Sequence, residues 1–230
     1  MCSSNLRQWG LGTMAYAMNS DDYLPSECSK NDISLNFTRS EWWPNAVAPY
    51  LSGRTYAQIS GDGNIPLPPD KSIYVCPSAK IPKEAPYPVM GSFPQPWNRY
   101  FFCYVWNSRL GEGKTKDDSD NIRQVKLMDL ERLVETVFML EIRTTRDELP
   151  AGDPYYDCSL ARFRANWKRF AARHAQGARR GGHVAFCDGH VGFVSNELAT
   201  TNKQGSRSPN FPHGDWNKDG LIWNAFGPAH

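Results

Sequence analysis

His174, His183, Asp188 and His190 are the residues of this chain whose types best suit metal binding or proton transfer. Imidazole titrates near neutral pH and a carboxylate can orient it or share a cation, so together they would suit a metal-dependent hydrolase. Their spacing argues against one site. His183 and His190 flank Asp188-Gly189, a two-residue hairpin signal whose residues tolerate positive φ, and the strands on either side would carry the imidazoles apart. An Asp in such a turn commonly accepts local backbone N–H groups. No Gly-x-Ser-x-Gly, His-Glu-x-x-His or glycine-rich phosphate loop supplies a nucleophile or cofactor. Cys187, in an apolar run between histidines, reads as core packing. No catalytic residue is assigned, and the chain is expected not to be an enzyme.

A second constellation is Asp215-Trp216-Asn217-Lys218-Asp219-Gly220. It places Asp215, Asn217 and Asp219 at alternate positions, with Gly220 for the sharp turn and the Leu221 carbonyl as a fourth oxygen, a pattern suited to Ca²⁺. Phe226 stands where a bidentate Glu belongs, so the alternative is an ordinary polar turn. Ser60-Gly61-Asp62-Gly63-Asn64 has too few oxygens and reads as a turn.

Six dispersed cysteines without a Cys-x-x-Cys pair fit disulfides in an oxidising compartment better than a zinc module. Cys2, Cys28, Cys76, Cys103 and Cys158 are the disulfide candidates, with the pairing open. Trp42-Trp43 and Pro96-Trp97 are either an aromatic platform for a glycan or loop side chains plugging the core, the second being preferred. Arg162, Arg164, Lys168, Arg169 and Arg173 read as a solvated face, because a net charge of +2 gives no field for nucleic acid.

These groups sit on an α+β layout. Residues 2–19 read as a helix, with Leu6, Trp9, Gly10, Thr13, Tyr16 and Ala17 on one face. Leu11, Met14 and Met18 form a second apolar stripe, so burial on two sides is expected. Residues 20–99 are irregular, with a short helix at 44–52 and a short strand at Ser72–Cys76. Strands are expected at Tyr100–Asn107, Lys126–Met128, Thr136–Ile142, Arg169–His174, His183–Asp188 and His190–Ser195, with a helical turn at Asp129–Leu133. Residues 199–230 read as a C-terminal loop region. The whole, 1–230, reads as a single domain in which a long helix lies across an antiparallel sheet. No apolar run reaches the ~18–20 residues that span a bilayer, and no signal peptide opens the chain.

Five strings in order then resemble one family. They are Cys2-Ser3-Ser4-Asn5-Leu6-Arg7-Gln8-Trp9-Gly10-Leu11; Tyr16 with Asp22-Tyr23-Leu24-Pro25; Cys76-Pro77-Ser78; Tyr104-Val105-Trp106-Asn107; and Arg173-His174 followed by Asp188-Gly189-His190-Val191. The chain resembles prepilin-like proteins of the type II secretion pseudopilin class, in the branch closing on a His…Asp-Gly signature, here His174, Asp188, Gly189 and His190. That signature usually holds nine residues between its histidine and Asp-Gly. Residues 175–187 intervene here, and 178–181 read as a loop insertion.

The resemblance implies a pilin-like fold and a structural, assembly role in a pseudopilus. It implies an upstream apolar helix, continuous with 2–19, which anchors the domain in the bacterial inner membrane, and a methylated N-terminus in the full-length protein. It places this domain in the periplasm. Other pseudopilin subunits and inner-membrane secretion components are the implied partners, with secreted cargo as a further one. The alternatives are a periplasmic or secreted glycan-binding module using Trp42, Trp43 and Trp97, and the metal-dependent hydrolase weighed above.

Overall fold

A computed structural model describes residues 1–26, 38–63, 65–81, 101–107, 110, 124–148, 162–163, 170–206 and 217–226. The chain is α+β, with helices on an antiparallel sheet. Helix α1 spans Cys2–Met18, seventeen residues, against the longer helix that the family resemblance implies. Helix α2 (Trp43–Ser52) carries Pro44 in its first turn, where the missing N–H is no loss, and stops at Gly53 in the left-handed region (φ 71). Helix α3 (Tyr56–Gly61) opens with a capping box between Thr55 and Gln58.

Six strands make one sheet: β1 (Tyr104–Asn107), β2 (Val137–Glu141), β3 (Arg162–Phe163), β4 (His174–Gln176), β5 (Arg179–Phe186) and β6 (Val191–Ser195). All pairings are antiparallel except β1 with β3. Gly181 pairs with both His174 and Ser195, and Val184 with both Leu140 and Gly192. Hence β6 follows one edge of β5 while β4 and β2 share the other, end to end. Short helix α4 (Asn196–Thr200) follows β6, with the Ser195 hydroxyl accepting the Leu198 N–H.

Every residue of β1 and β2 is buried. Helix α1 lays Leu6, Trp9, Gly10, Thr13 and Ala17 inward, against α2 and the β5–β6 hairpin. Trp9 is the hub, edge-on to Trp43 and Tyr74, with its indole N–H donating to the Ile73 carbonyl at 2.9 Å. The second stripe is covered only in part: Met14 is half-buried, while Leu11 is 61% and Met18 86% exposed. The helix has one buried face, because α2 and the sheet approach it from adjacent sides and leave its back to solvent.

Several strand expectations shift. Residues 72–76 form a turn instead of a strand, closed by the Tyr74 N–H on the Ser72 hydroxyl. Lys126 makes a single bridge to Tyr23, and Leu127–Asp129 is a 3₁₀ turn. Strand β1 begins at Tyr104, and β4 begins only at His174. The supposed insertion 178–181 lies mostly within a strand: Arg179, Arg180 and Gly181 pair with Gln176, Ala175 and His174. The β5–β6 connection has three residues, 187–189, between the bonded Phe186 and His190. Gly189 takes φ +88, as a three-residue hairpin with a left-handed last position requires. The C-terminal region also enters the core, with Leu221 and Trp223 fully buried. The Asn107 side chain holds that segment by donating to the Val137 and Trp223 carbonyls, each at 2.8 Å.

A buried cysteine–glutamate–histidine centre as the candidate functional site

Glu141 ends β2 and is completely buried. An isolated buried carboxylate is costly, so its neighbours must satisfy it. Its Oε1 lies 3.0 Å from His174 Nε2, and its Oε2 accepts the backbone N–H of His183 at 2.8 Å. His183 Nδ1 stands 3.4 Å from the same oxygen, an ion-pair distance, and the two imidazoles lie 4.6 Å apart. Register produces this meeting, since β2, β4 and β5 bring the end of one strand, the start of the next and the middle of the third together. Gly182 permits it. A Cβ there would sit 2.4 Å from the Ala171 carbonyl oxygen and 3.4 Å from Glu141 Oε2, so any side chain would force the strands apart.

Cys76 brings the irregular half of the chain to the same place, its Sγ 3.6 Å from His174 Nε2. It is disulfide-bonded to Cys2, the first residue of α1, across 74 residues of sequence. Asn5, one helical turn on, holds the partner loop in register. Its amide donates to the Ser72 and Val75 carbonyls at 2.9 Å each and reaches the Tyr104 hydroxyl at 3.3 Å. Cys2, Cys76, Glu141 and His174 thus present four ligand-type atoms within 4.8 Å of one another.

Behind this group, Arg173 is buried and donates to Glu148 Oε2 at 3.0 Å and to the Ile142 carbonyl. Glu148 in turn accepts the Thr144 backbone N–H at 3.0 Å and its hydroxyl at 3.1 Å. Burial alone would raise the Glu141 carboxyl. Hydrogen bonding by His174 and His183, with the Arg173 charge, outweighs burial and holds it at about 2. Burial, with the Glu141 charge adding to it, pushes the Tyr104 phenol well up. Burial raises the Cys103 thiol to about 11, so it stays protonated and inert.

The separation expected of the histidines holds for His190 and fails for His183, which meets His174. His190 belongs to the exposed hairpin tip, with Nδ1 2.7 Å from Asp188 Oδ1 and its ring stacked 4.3 Å over Phe186. Asp188 Oδ1 also accepts the His190 backbone N–H at 3.1 Å, as an Asp in a turn should. Gly189 lies under α1, where a Cβ on Gly10 would come 3.3 Å from its carbonyl oxygen.

Two oxygens of the calcium candidates are engaged within the protein. Asn217 Oδ1 already accepts the Trp223 and Asn224 N–H groups, each at 2.9 Å, and the Leu221 carbonyl accepts the Lys218 N–H at 2.9 Å. Those oxygens serve a tight backbone turn, the alternative that the sequence offered. Asp219 is exposed, and Asp215 lies outside the described residues. The glycan platform fails at Trp42 and Trp43, which are 1% and 2% exposed inside the core; Trp97 lies outside the described residues. Among the cysteines, Cys103 is free and buried, which corrects its place among the disulfide candidates, and Cys187 is also free and buried. Cys28 and Cys158 lie outside the described residues. Arg173 departs from the solvated face assigned to it, with only 3% of its side chain exposed.

Glu141 and Glu148 were missed by sequence reasoning. The signal for Glu141 was present: one carboxylate in the apolar strand Val137–Ile142, whose neighbours all argue for burial, demands a partner from elsewhere. Among the described residues no helix is long and apolar enough to cross a membrane. Comparison with models of protein families, with curated proteins and with solved structures finds no match to this chain.

Proposed function

We propose that this chain is the water-facing domain of a prepilin-like subunit of the type II secretion pseudopilin class, with a structural and assembly role and no turnover. One observation carries the reading: four of the five strings that resemble that family meet where the inner face of α1 joins the sheet and the loop carrying Cys76. Cys2 is bonded to Cys76, Asn5 reaches Tyr104, Gly10 packs on Gly189, and His174 abuts Cys76. The opposite face keeps Leu11 and Met18 exposed beside Arg7 and Gln8. A helix fixed on one side and carrying exposed apolar side chains among polar ones on the other is what a subunit needs if α1 continues an upstream membrane helix and packs in a filament. On this reading the domain projects into the periplasm, anchored in the inner membrane. Its partners are other pseudopilin subunits, inner-membrane secretion components and secreted cargo. Nucleic acid is not among them.

The test uses the gene with its upstream codons, expressed with a prepilin peptidase and its secretion system. Cysteines placed at Leu11 and Met18 should crosslink between subunits in isolated membranes. A cleavable signal peptide upstream, or a processed protein that never partitions into membranes, would sink the proposal. Hydrolysis of an esterase, phosphatase or glycosidase substrate that disappears in His174→Ala would do the same.

A further inference from the structure

We propose that, when the Cys2–Cys76 bond is reduced, these sulfurs with His174 and Glu141 bind one Zn²⁺. The observation behind this is the company the disulfide keeps. A disulfide needs neither a carboxylate nor an imidazole, yet this one has both against it, from two different strands, with Glu141 wholly buried. Burying a carboxylate is unfavourable unless a cation or several donors meet it. Two thiolates, one imidazole and one carboxylate form a tetrahedral donor set of the softness zinc prefers over calcium or magnesium.

The distances fit that geometry. With bonds of about 2.0–2.3 Å to zinc, the ligand atoms of a tetrahedral site lie roughly 3.3–3.8 Å apart. Cys76 Sγ and His174 Nε2 are already 3.6 Å apart, and His174 Nε2 and Glu141 Oε1, now 3.0 Å apart, would open by roughly 0.3 Å to admit the ion. The two sulfurs, once separated, need to part only to roughly 3.7 Å. The surroundings would orient the ligands. The His183 N–H occupies Glu141 Oε2 and leaves Oε1 facing the sulfurs, and Asn5 fixes the loop that carries Cys76. His174 is the partly exposed member and gives the ion its way in.

The chemistry balances with a dithiol reductant of the thioredoxin class. Its two thiols become a disulfide and pass two electrons and two protons to the Cys2–Cys76 bond. Zn²⁺ then displaces both protons to solvent and forms two Zn–S bonds, and reoxidation reverses this and expels the ion. Either state ties the start of α1 to the loop and the sheet, so the fold keeps its staple in reducing and oxidising surroundings alike. The inference does not rest on the pseudopilin reading.

The experiment uses the full chain carrying Cys28→Ser and Cys158→Ser. It is prepared with the Cys2–Cys76 bond intact and, separately, reduced with a phosphine and freed of metal. Both forms are dialysed against Zn²⁺ and then metal-free buffer, and bound zinc is counted. The reduced form is expected to keep one equivalent and the oxidised form none. Co²⁺ in its place should give thiolate-to-cobalt charge-transfer absorption with tetrahedral ligand-field bands. His174→Ala should weaken zinc binding by about tenfold or more, with the thiol count unchanged. Uptake that is equal in both forms, absent in the reduced form, or undiminished in a folded His174→Ala variant overturns the proposal. The comparison of two redox forms needs no substitution, so a variant that fails to fold leaves the test standing. If reduction unfolds the chain, one equivalent of Zn²⁺ must restore the near-ultraviolet dichroism of the aromatic core; failure to do so also overturns it.

Discussion

Glu141 with His174 and His183, and Asp188 with His190, are both made from a carboxylate and imidazole, the first on the strands of the sheet and the second at the tip of its β5–β6 hairpin. Their surroundings differ in every respect that sets energy. The Glu141 carboxylate has no exposed surface and is held by two histidines, one of them through its backbone as well. The Asp188 and His190 side chains are 30% and 46% exposed at a hairpin tip, where water competes for each bond. The exposed pair is the closer of the two, 2.7 Å against 3.0 Å, so distance does not rank the interactions. Residue type and contact distance say little about what a pair contributes until burial is known, because burial sets the cost of leaving a partner unmet.

The sharpest test of that contrast is Glu141→Ala. It leaves the His183 N–H and the His174 ring without their acceptor in the interior and opens a cavity beside them. A loss of about 3–5 kcal/mol in urea unfolding is expected, the range for breaking a buried charged pair. Glu141→Gln keeps an acceptor and should lose less than half of that. A loss below about 1 kcal/mol for the alanine variant would erase the difference between the two pairs.

Reduction of Cys2–Cys76, measured with EDTA present so that no metal replaces the bond, should cost about 4 kcal/mol. Closing a loop of 74 residues removes much of the unfolded chain's freedom. The same treatment should leave the hairpin tip untouched, so the His190 ring signals in NMR keep their positions while those of His174 move.

The sequence disclosed these two regions unequally, for physical reasons. Asp188-Gly189 was legible because a tight turn is a local object, and the residues that make it are neighbours in the chain. The inward face of α1 was legible for the same reason, as Leu6, Trp9 and Thr13 repeat at helical spacing. Its outward stripe was misread, since Leu11 and Met18 carry no mark of which side the sheet takes. The buried centre was not legible as a unit. Cys2, Cys76, Glu141 and His174 are joined only by strand register and by the Asn5-held loop, and pairing across such separations has no local signature. Arg179–Gly181 were misread because strand pairing, not composition, decides that they extend β5.

Acid should separate the pairs next. The Glu141 carboxyl is held at about 2 in the folded protein, against an ordinary value of 4.5. A depressed carboxyl contributes its full stability above the unfolded value. That contribution falls away as pH drops from about 4.5 towards 2, because the unfolded chain takes up the proton first. In the disulfide-bonded protein the contribution at stake is on the order of 2–3 kcal/mol. Urea midpoints measured across that window should decline steeply in the native sequence and flatten in Glu141→Gln. Parallel curves for the two proteins would assign the acid sensitivity to other carboxylates.

The smallest effect is expected at the hairpin tip, and its smallness is itself informative. Asp188→Ala removes the acceptor for the His190 N–H and the partner of its Nδ1, but both groups can turn to water. An exposed ion pair contributes about 0.2–1 kcal/mol, so the loss should stay near or below the upper end of that range. Asp188→Asn retains an oxygen for the turn N–H and should be close to neutral. His190→Ala should cost slightly more than Asp188→Ala, because its ring covers Phe186 face to face, 5° from parallel. By contrast Gly189→Ala must force a side chain onto a residue at φ +88, at a cost of about 1–2 kcal/mol, so the backbone of this turn matters more than its acid and base. Raising the salt concentration should narrow the gap between the native protein and Asp188→Ala, since exposed charges are screened. If Asp188→Ala instead costs more than about 2 kcal/mol, the exposed pair is as structural as the buried one, and burial has ceased to be what separates them.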